Sequence, residues 1–550
     1  NRLLTGWSLV RIRPGEPIPK PSKRQRVSGV SFVRRVLCGD RAAAEGATAP
    51  GLSRPPRDEP PGLAIRINSM SQKPVVVWFR DDLRLSDHPA LAAACETGAP
   101  VICLFVFEDG TPGRRNTGGA ARWWLAQSLR SLDAGLRALG NRLVLRAGRA
   151  ADVVPAVLAE TGATRLVWNR RYDAGGMAVD SAIKALLKDS GIVATSFPGN
   201  LLREPWEVKS AAGDPMRVFT PFWRAHQKLG SLRLPLRAPQ AIPAAAPIDS
   251  DEHGDWALEP RRPNWAAGFG DEWSPGEAGA HAALDAFVEG PLAGYSDDRN
   301  RPDLASTSRL SPHLRFGEIS PLQIWHRTQM AAGMEGGRDV AKFLAEIGWR
   351  EFSYHLLFHW PDLAERNFQS RFDAFPWHEG AAVLSAWQRG LTGYPIVDAG
   401  MRQLWRTGWM HNRVRMVVAS FLVKHLRVDW RAGERWFWDT LVDADPASNP
   451  ASWQWVAGSG ADAAPYFRIF NPMLQGAKFD PNGAYVRRWV PELAKLPDDA
   501  IHAPWDAPRH VLERAGVRLG DTYPRPIVDH DTARAAALAA LAEIRETSHA

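Results

Sequence analysis

From residue 73 onward the chain alternates short, continuously apolar runs with longer spans of mixed polarity. VVVWF (residues 75–79), VICLFVF (101–107), RLVL (142–145), RLVW (165–168) and a weaker IVA (192–194) have the length of strands. Each is apolar at successive rather than alternate positions, so both faces must be buried, as in a parallel sheet covered by helices. Spans such as 120–139 and 177–188 are long enough for those helices. Residues 73–200 are therefore predicted to form an α/β domain with a doubly wound parallel sheet. The segment after the first strand, RDDLRLSDHPAL (80–91), has no glycine, so the dinucleotide fingerprint is absent there.

From residue 276 the period lengthens to that of a helix. Leu284, Phe287, Val288 and Leu292 mark one apolar stripe. FLAEIGWREFSYHLL (343–357) sets Glu346, Trp349 and Arg350 at i, i+3 and i+4, on one face. A further helix is predicted over 409–425. Val414, Val417, Val418, Phe421, Leu422 and His425 form its core face, and Trp409, Asn412, Arg413 and Met416 a second face. Indole, amide, guanidinium and thioether side by side suit a pocket wall. Packing against a neighbouring helix, with Arg413 reaching for solvent, is the alternative. Residues 276–530 read as a larger all-α domain and 531–550 as a short Ala-rich tail. Residues 201–275, with PLRAPQAIPAAAP at 235–247, read as a connector draped over the surface.

Composition changes this picture in two places. The net charge of +8 arises entirely in residues 1–69, which hold 13 Lys and Arg against 5 Asp and Glu; 55 of each sign remain over 70–550. Binding of a polyanion by the folded part must then use a local patch. Residues 1–69 are expected to be a disordered segment upstream of Met70, the first methionine; an Arg-rich targeting or tethering arm is the other reading. Cys38, Cys95 and Cys103 have no metal-ligand spacing, and no run of 18 apolar residues occurs. The expectation is reduced thiols, no metal, no membrane span and a cytoplasmic location.

The second place is tryptophan, 24 in all. RWFWDTLVDADPASNPASWQWVAGSG (435–460) holds Trp436, Trp438, Trp453 and Trp455 around Asp443, Asp445 and Asn449. Residues 444–452 are a poor helix and a poor strand. Indole faces, two acids and an amide suit a flat, partly polar aromatic ligand. Upstream, TSRLS (307–311) puts three hydroxyls and an arginine before a helix-like stretch, which suits a phosphate group. A plain Ser/Thr N-cap is the commoner use of such residues.

Together these stretches resemble the photolyase/cryptochrome family over about residues 74–529, most closely the microbial class I enzymes that repair cyclobutane pyrimidine dimers. The resemblance implies reduced FAD held by Tyr295, Thr307, Ser308, Arg309, Leu310, Ser311, Arg350, Arg415, Asp443, Asp445 and Asn449. Arg415 would pair with Asp443, and Asn449 would face flavin N5. It implies a lesion and DNA site at Arg299, Glu346, Trp349, Asn412, Arg413, Met416 and Trp455, with Glu346 as the hydrogen-bond donor to the dimer. Trp377, Trp430 and Trp453 would form an electron-hopping chain. The implied partner is ultraviolet-damaged DNA, bound by a monomer. A second, antenna chromophore, methenyltetrahydrofolate or a deazaflavin, is implied beside WNRRYD (168–173). The Asn-Glu pair of folate-binding relatives is replaced there by Ala174, Gly175 and Gly176. From the residues alone, Arg170, Arg171 and Tyr172 read as a solvated strand end. Within the family, a blue-light photoreceptor and repair of the (6-4) lesion are the other readings. Asn449, the Trp349/Trp455 pair and the short tail favour dimer repair.

Overall fold

In the computed structural model, residues 72–331, 337–463 and 467–546 are described. The expectations for residues 1–69 and for Cys38 lie outside them. All five predicted strands form, as β1 (Val75–Phe79), β2 (Val101–Phe107), β3 (Leu143–Ala147), β4 (Arg165–Asn169) and β5 (Val193–Phe197). They make one parallel sheet in the order β3-β2-β1-β4-β5. Alternate residues feed two cores. Val75, Val77 and Phe79 join α1 (Pro89–Cys95) and α2 (Gly119–Ala138) on one side. Val76 and Trp78 join α3 (Ala150–Thr161) and α4 (Ala174–Leu187) on the other. Burial on both faces is the physical reason for the uninterrupted apolar runs of β1 to β4, whereas β5, the weaker run, lies at the sheet edge with Val193 exposed.

The glycine-free segment after β1 is the seam to the helical domain. Arg80, Asp82, Arg84, Asp87 and His88 are all buried. Arg84 Nη1 donates to the Gly317 carbonyl (2.9 Å), Leu83 N to the Phe316 carbonyl (3.0 Å) and Ser320 Oγ to Asp87 (2.5 Å). A chain reversal with so many backbone acceptors needs cations and amides rather than glycines.

The helices that build the site are α5 (Phe219–Lys228), α6 (Glu277–Glu289), α7 (Ser311–Arg315), α8 (Arg338–His359), α9 (Asn412–Ser420), α10 (Trp430–Thr440), α11 (Ser448–Ala457) and α12 (His530–Glu546). Three differ from the sequence expectation. The helix predicted from Trp409 begins at Asn412, because His411 caps it: its Nδ1 accepts from Arg413 N (3.2 Å). It ends in a π-helical turn, Phe421–His425. The loop predicted over 444–452 already becomes α11 at Ser448. Pro450 lies in its first turn, where no intrahelical N–H is lost. The 201–275 connector contains α5, whose Phe219 and Phe222 are buried against the helical domain. The C-terminal residues are docked rather than trailing: Ala540, Leu541 and Ile544 of α12 pack on Phe372 and Phe375.

Candidate functional site

The start of α7 and the polar face of α9 converge on Asp443, which follows the end of α10. Its Oδ2 accepts from Ser311 Oγ (2.6 Å) and from Arg415 Nη2 (2.8 Å), so the expected Arg415–Asp443 pair is present. Arg415 Nε also donates to the Met410 carbonyl (2.7 Å), which fixes the guanidinium plane. Asp443 Oδ1 is buried and has no partner among the described residues. A buried, unsatisfied carboxylate oxygen is costly unless a ligand donates to it. Trp409 Nε1 reaches Ser311 Oγ (3.4 Å), and the Arg309 guanidinium lies 4.0 Å from the Trp273 ring and 5.3 Å from that of Trp409. Arg309 has φ +53°, a left-handed backbone that a non-glycine residue seldom adopts. Ser306, the residue before the pentapeptide, donates to the Asp298 carbonyl (2.8 Å). Thr307, Ser308 and Leu310 complete this turn beside the buried Tyr295. These groups fit FAD: a strained hydroxyl-rich turn for phosphate, and an orphaned acid oxygen for a hydroxyl or ring N–H.

Asp445, expected beside Asp443 as a ligand, is occupied otherwise. Its Oδ1 accepts from Ala447 N (2.9 Å) and Ser448 N (2.7 Å), capping α11, and its Oδ2 accepts from Tyr354 Oη (2.8 Å). Asn449 lies in the first turn of that capped helix. Its Nδ2 donates to Glu434 Oε1 (2.8 Å) and to the Glu434 carbonyl (3.1 Å), leaving the amide oxygen to point elsewhere. Glu434 is buried and also accepts from Arg115 of the α/β domain (2.5 Å). Burial raises its carboxyl pKa, and Arg115 and Asn449 pull it back. Nothing local in the sequence marks Glu434 or Arg115, because the three residues meet only through tertiary packing.

The residues expected to contact DNA make the following contacts. Glu346 pairs with Arg299, whose guanidinium lies 5.4 Å from the Tyr295 ring. Arg413 donates to Asn300 (2.8 Å) and lies 4.4 Å from the Phe479 ring, with its Nε lacking a partner among the described residues. Asn412 is exposed and Met416 half-buried on the same helix. Trp349 stacks on Phe219 of α5 at 3.7 Å and 9°, which leaves one indole face for another partner. Trp455 donates from Nε1 to the Asp462 carbonyl (3.1 Å), and Phe219 N donates to Asp462 Oδ2 (3.4 Å). Asp462 therefore ties both indoles to one rim.

Arg350 does not join Glu346 and Trp349. Its Nη1 donates to the Asn200 carbonyl (2.8 Å), and it lines a separate cleft of about 950 Å³ between the two domains. The four tryptophans of 435–460 also diverge. Two residues apart on a helix means about 200° of rotation. Trp436 stacks on the exposed Trp405 (6.0 Å, 7°), whereas Trp438 lines the interdomain cleft. Trp453 is buried between Trp387 (6.2 Å) and Phe437 (5.0 Å), and a Cβ on Gly433 would stand 2.2 Å from its ring. Trp430 is buried, with Nε1 on Asn367 (2.9 Å); Trp377 is half-buried against Phe375 (4.4 Å). Both belong to or border the core that holds Trp453, but their rings do not stack on one another.

The interdomain cleft lies outside the carboxyl ends of β1, β2 and β4, where the strand order reverses, the usual binding place of an open parallel sheet. Arg114, Arg115, Arg170, Arg171, Arg315 and Arg350 line it. Burial alone would raise the Asp81 carboxyl, but Arg171, Arg315 and Arg114 hold it well below the usual range. Arg171 and Tyr172 are buried, with Tyr172 Oη on Glu204 (3.0 Å), so this strand end is a cleft wall rather than a solvated edge. Gly175 is needed because a Cβ there would meet the Gly113 carbonyl at 2.7 Å.

Comparison with known proteins agrees with this geometry. The profile of the FAD-binding domain of DNA photolyase matches residues 343–543, and that of DNA photolyase residues 75–244. A deoxyribodipyrimidine photo-lyase of Agrobacterium fabrum is 54% identical over 481 residues, 87% of this chain and 100% of the relative. Cryptochrome-1 of Arabidopsis thaliana is 44% identical over 490 residues, 85% of this chain and 70% of that protein. A solved bacterial class III photolyase from Agrobacterium tumefaciens superposes with a TM-score of 0.85 at 53% identity, covering 88% of this chain and 100% of that one. The class I likeness drawn from the motifs is not confirmed, since that solved relative is a class III photolyase. Sequence, fold and the built flavin cradle lead to one conclusion: the chain belongs to the photolyase/cryptochrome family and carries its FAD-binding domain.

Proposed function

We propose that this chain is a light-driven DNA lyase that splits cyclobutane pyrimidine dimers, of the class III kind named for its solved relative. Bound FAD supplies the chemistry that no ground-state side chain offers, a photoexcited electron donor. One electron enters the dimer, two carbon–carbon bonds break and the electron returns, so the reaction is redox-neutral. The protein's part is to hold the lesion and order the polar groups around it. The observation that carries the reading is the pair of indoles, Trp349 and Trp455, joined through Phe219 and Asp462, with the Glu346–Arg299 pair one helical turn from Trp349.

A dimer stacks and pairs poorly, so its extrusion from the duplex costs a few kcal/mol at most. The open faces of Trp349 and Trp455 receive the extruded pyrimidines. Glu346, paired with Arg299, is the residue that stabilises the dimer at a carbonyl. Asn449, fixed by Glu434, presents a neutral oxygen where a carboxylate would place a charge. Trp453, Trp430 and Trp377 lead outward through the core and return electrons to the centre. Residues 276–530 thus do the chemistry, while 73–200 and the arginine-lined cleft take an anionic antenna chromophore.

The test is a synthetic duplex with one thymine dimer, exposed to blue light beside a dark control. Light-only restoration of the thymines is the expected result. Conversion of the (6-4) lesion instead would assign the other repair chemistry. The cryptochrome relative at 44% identity gives the second reading, a photoreceptor; photoreducible flavin with no repair of either lesion would select it. Trp455→Ala is expected to weaken binding of the lesion duplex by about 1–3 kcal/mol, the worth of one stacked base, and to affect undamaged duplex much less. Equal losses on both duplexes would remove the stacking role. Fluorescence anisotropy in the dark measures both.

A further inference from the structure

The loop between β2 and α2 carries Arg115 out of the α/β domain and onto α10. Its docking does not depend on that side chain. Trp438 Nε1 donates to the Asn116 carbonyl (2.8 Å), Gly119 N donates to Asp439 Oδ1 (2.8 Å), and a Cβ on Gly118 would stand 2.1 Å from the Trp438 carbonyl. Only glycine admits so close an approach of two backbones. The Arg115 guanidinium lies 4.1 Å from the Trp438 ring. Its Nη1 donates to Glu434 Oε1 (2.5 Å), one turn earlier on α10. Among the described residues this is the one ion pair of either group.

That same oxygen accepts from Asn449 Nδ2 (2.8 Å), which also donates to the Glu434 carbonyl (3.1 Å). Asn449 thus spends both amide hydrogens on Glu434, and its oxygen accepts from no described residue. Turning the amide over would set that oxygen against a carboxylate and a carbonyl. It can turn only if Glu434 gains a proton to donate. Glu434 is 1% exposed, and burial raises its carboxyl pKa; Arg115 opposes this, as does its chain neighbour Arg435 more weakly. The ionisation of Glu434 therefore decides which end of Asn449 is offered to a ligand. A flavin ring nitrogen accepts a hydrogen bond when oxidised and donates one, as N–H, when reduced. An amide oxygen suits the reduced form and an amide N–H the oxidised one.

We infer that Arg115, a residue of the α/β domain, is a positioning residue for the flavin: by pairing with Glu434 it keeps the Asn449 oxygen turned to the ring and so favours the reduced cofactor. The inference rests on the placement of Asn449 beside the flavin in the function proposed above. Without Arg115, both forms of Glu434 disfavour reduction. The protonated acid frees the amide to turn. The bare carboxylate leaves an uncompensated charge beside a ring that gains negative charge on reduction.

The test uses the full, flavin-loaded chain and reads the midpoint potential of the flavin from about pH 5 to about pH 9, the range in which an unpaired buried carboxyl titrates. Arg115→Met is expected to lower the reduced-to-oxidised ratio about tenfold, which is about 30 mV for a two-electron couple. It is also expected to add an inflection to the pH profile, as Glu434 titrates, that wild type lacks. Arg115→Lys, which keeps the charge, is expected to recover most of the ratio and to lack the inflection. In a Glu434→Gln background, Arg115→Met is expected to add no more than about twofold, because both act through one contact. A wild-type potential in Arg115→Met, a profile without the inflection, a Lys variant as impaired as the Met one, or the same loss with and without Glu434 would each overturn the inference. If Arg115→Met fails to fold, Arg115→Gln decides: it keeps a donor for Glu434 and drops the charge, and the same inflection is expected. Asn449→Ala separates the two failures. If it leaves the potential unchanged, Asn449 does not face the ring, and that placement falls together with this inference. If it shifts the potential while the Arg115 variants do not, only the role of Arg115 falls.

Discussion

Asp443→Ala is expected to purify without flavin and to melt early. The carboxylate is buried, and two of its partners converge on one oxygen, Ser311 Oγ at 2.6 Å and Arg415 Nη2 at 2.8 Å. Its other oxygen has no partner among the described residues, so a ligand donor belongs there. A hydrogen bond to a charged group is worth about 1.5–3 kcal/mol, which corresponds to about 10–150-fold in flavin affinity. The alanine variant also leaves Arg415 without its counter-charge, and breaking a buried pair from one side costs about 3–5 kcal/mol. Arg415 is a quarter exposed and keeps the Met410 carbonyl, so the loss falls at or below the lower end of that range. Asp443→Asn separates the two effects. It keeps the shape and one acceptor for Ser311 but removes the charge. Flavin-to-protein absorbance ratio and thermal melting read the two losses apart. An alanine variant with full flavin would place the ring elsewhere.

Acidification from pH 7 to pH 5 is expected to destabilise the fold by about 5 kcal/mol. Four buried histidines carry the effect. Burial lowers His411 to about 3, His425 to about 3, His226 to about 4 and His355 to about 4. Each titrates near 6.5 once unfolded, so between pH 6.5 and its folded value the unfolded chain binds the extra proton, and stability falls as pH falls. Over these two pH units each contributes about 2 kcal/mol. Glu351 opposes them. Burial raises it to about 7, so the folded state takes up its proton first and regains about 2 kcal/mol over the same interval. Urea melts at pH 7, 6 and 5 would show the midpoint falling monotonically. A flat profile would mean that the histidines reach solvent. His411→Asn, which preserves a capping acceptor at α9, should remove about a quarter of the histidine contribution.

The sequence by itself determined the sheet, the helical periods and the chemistry-bearing motifs, because these are set by residues close in the chain. Five continuous apolar runs required a two-faced parallel sheet, and the sheet formed at those residues. The 3.6-residue spacing of Val414, Val417, Val418 and Phe421 assigned a core face, and all four are buried. The helix start at Asn412 rather than Trp409 was a capping detail of His411.

Only the tertiary structure decided which of the candidate residues meet. Trp349 and Trp455 lie 106 positions apart in the chain and share Asp462 through Phe219, a residue of the supposed connector. Glu434 orients Asn449 only because α10 and α11 pack with Arg115 of the other domain beside them. Asp445 resembles Asp443 in the sequence, yet Tyr354 and the amides of Ala447 and Ser448 take three of its acceptor positions. Arg350 shares a helical face with Glu346 in projection, but the Asn200 carbonyl draws its long side chain into the interdomain cleft. Local spacing fixes the direction in which a side chain leaves its helix. What it finds there depends on elements that arrive from elsewhere in the chain, and their positions follow from the burial of whole faces.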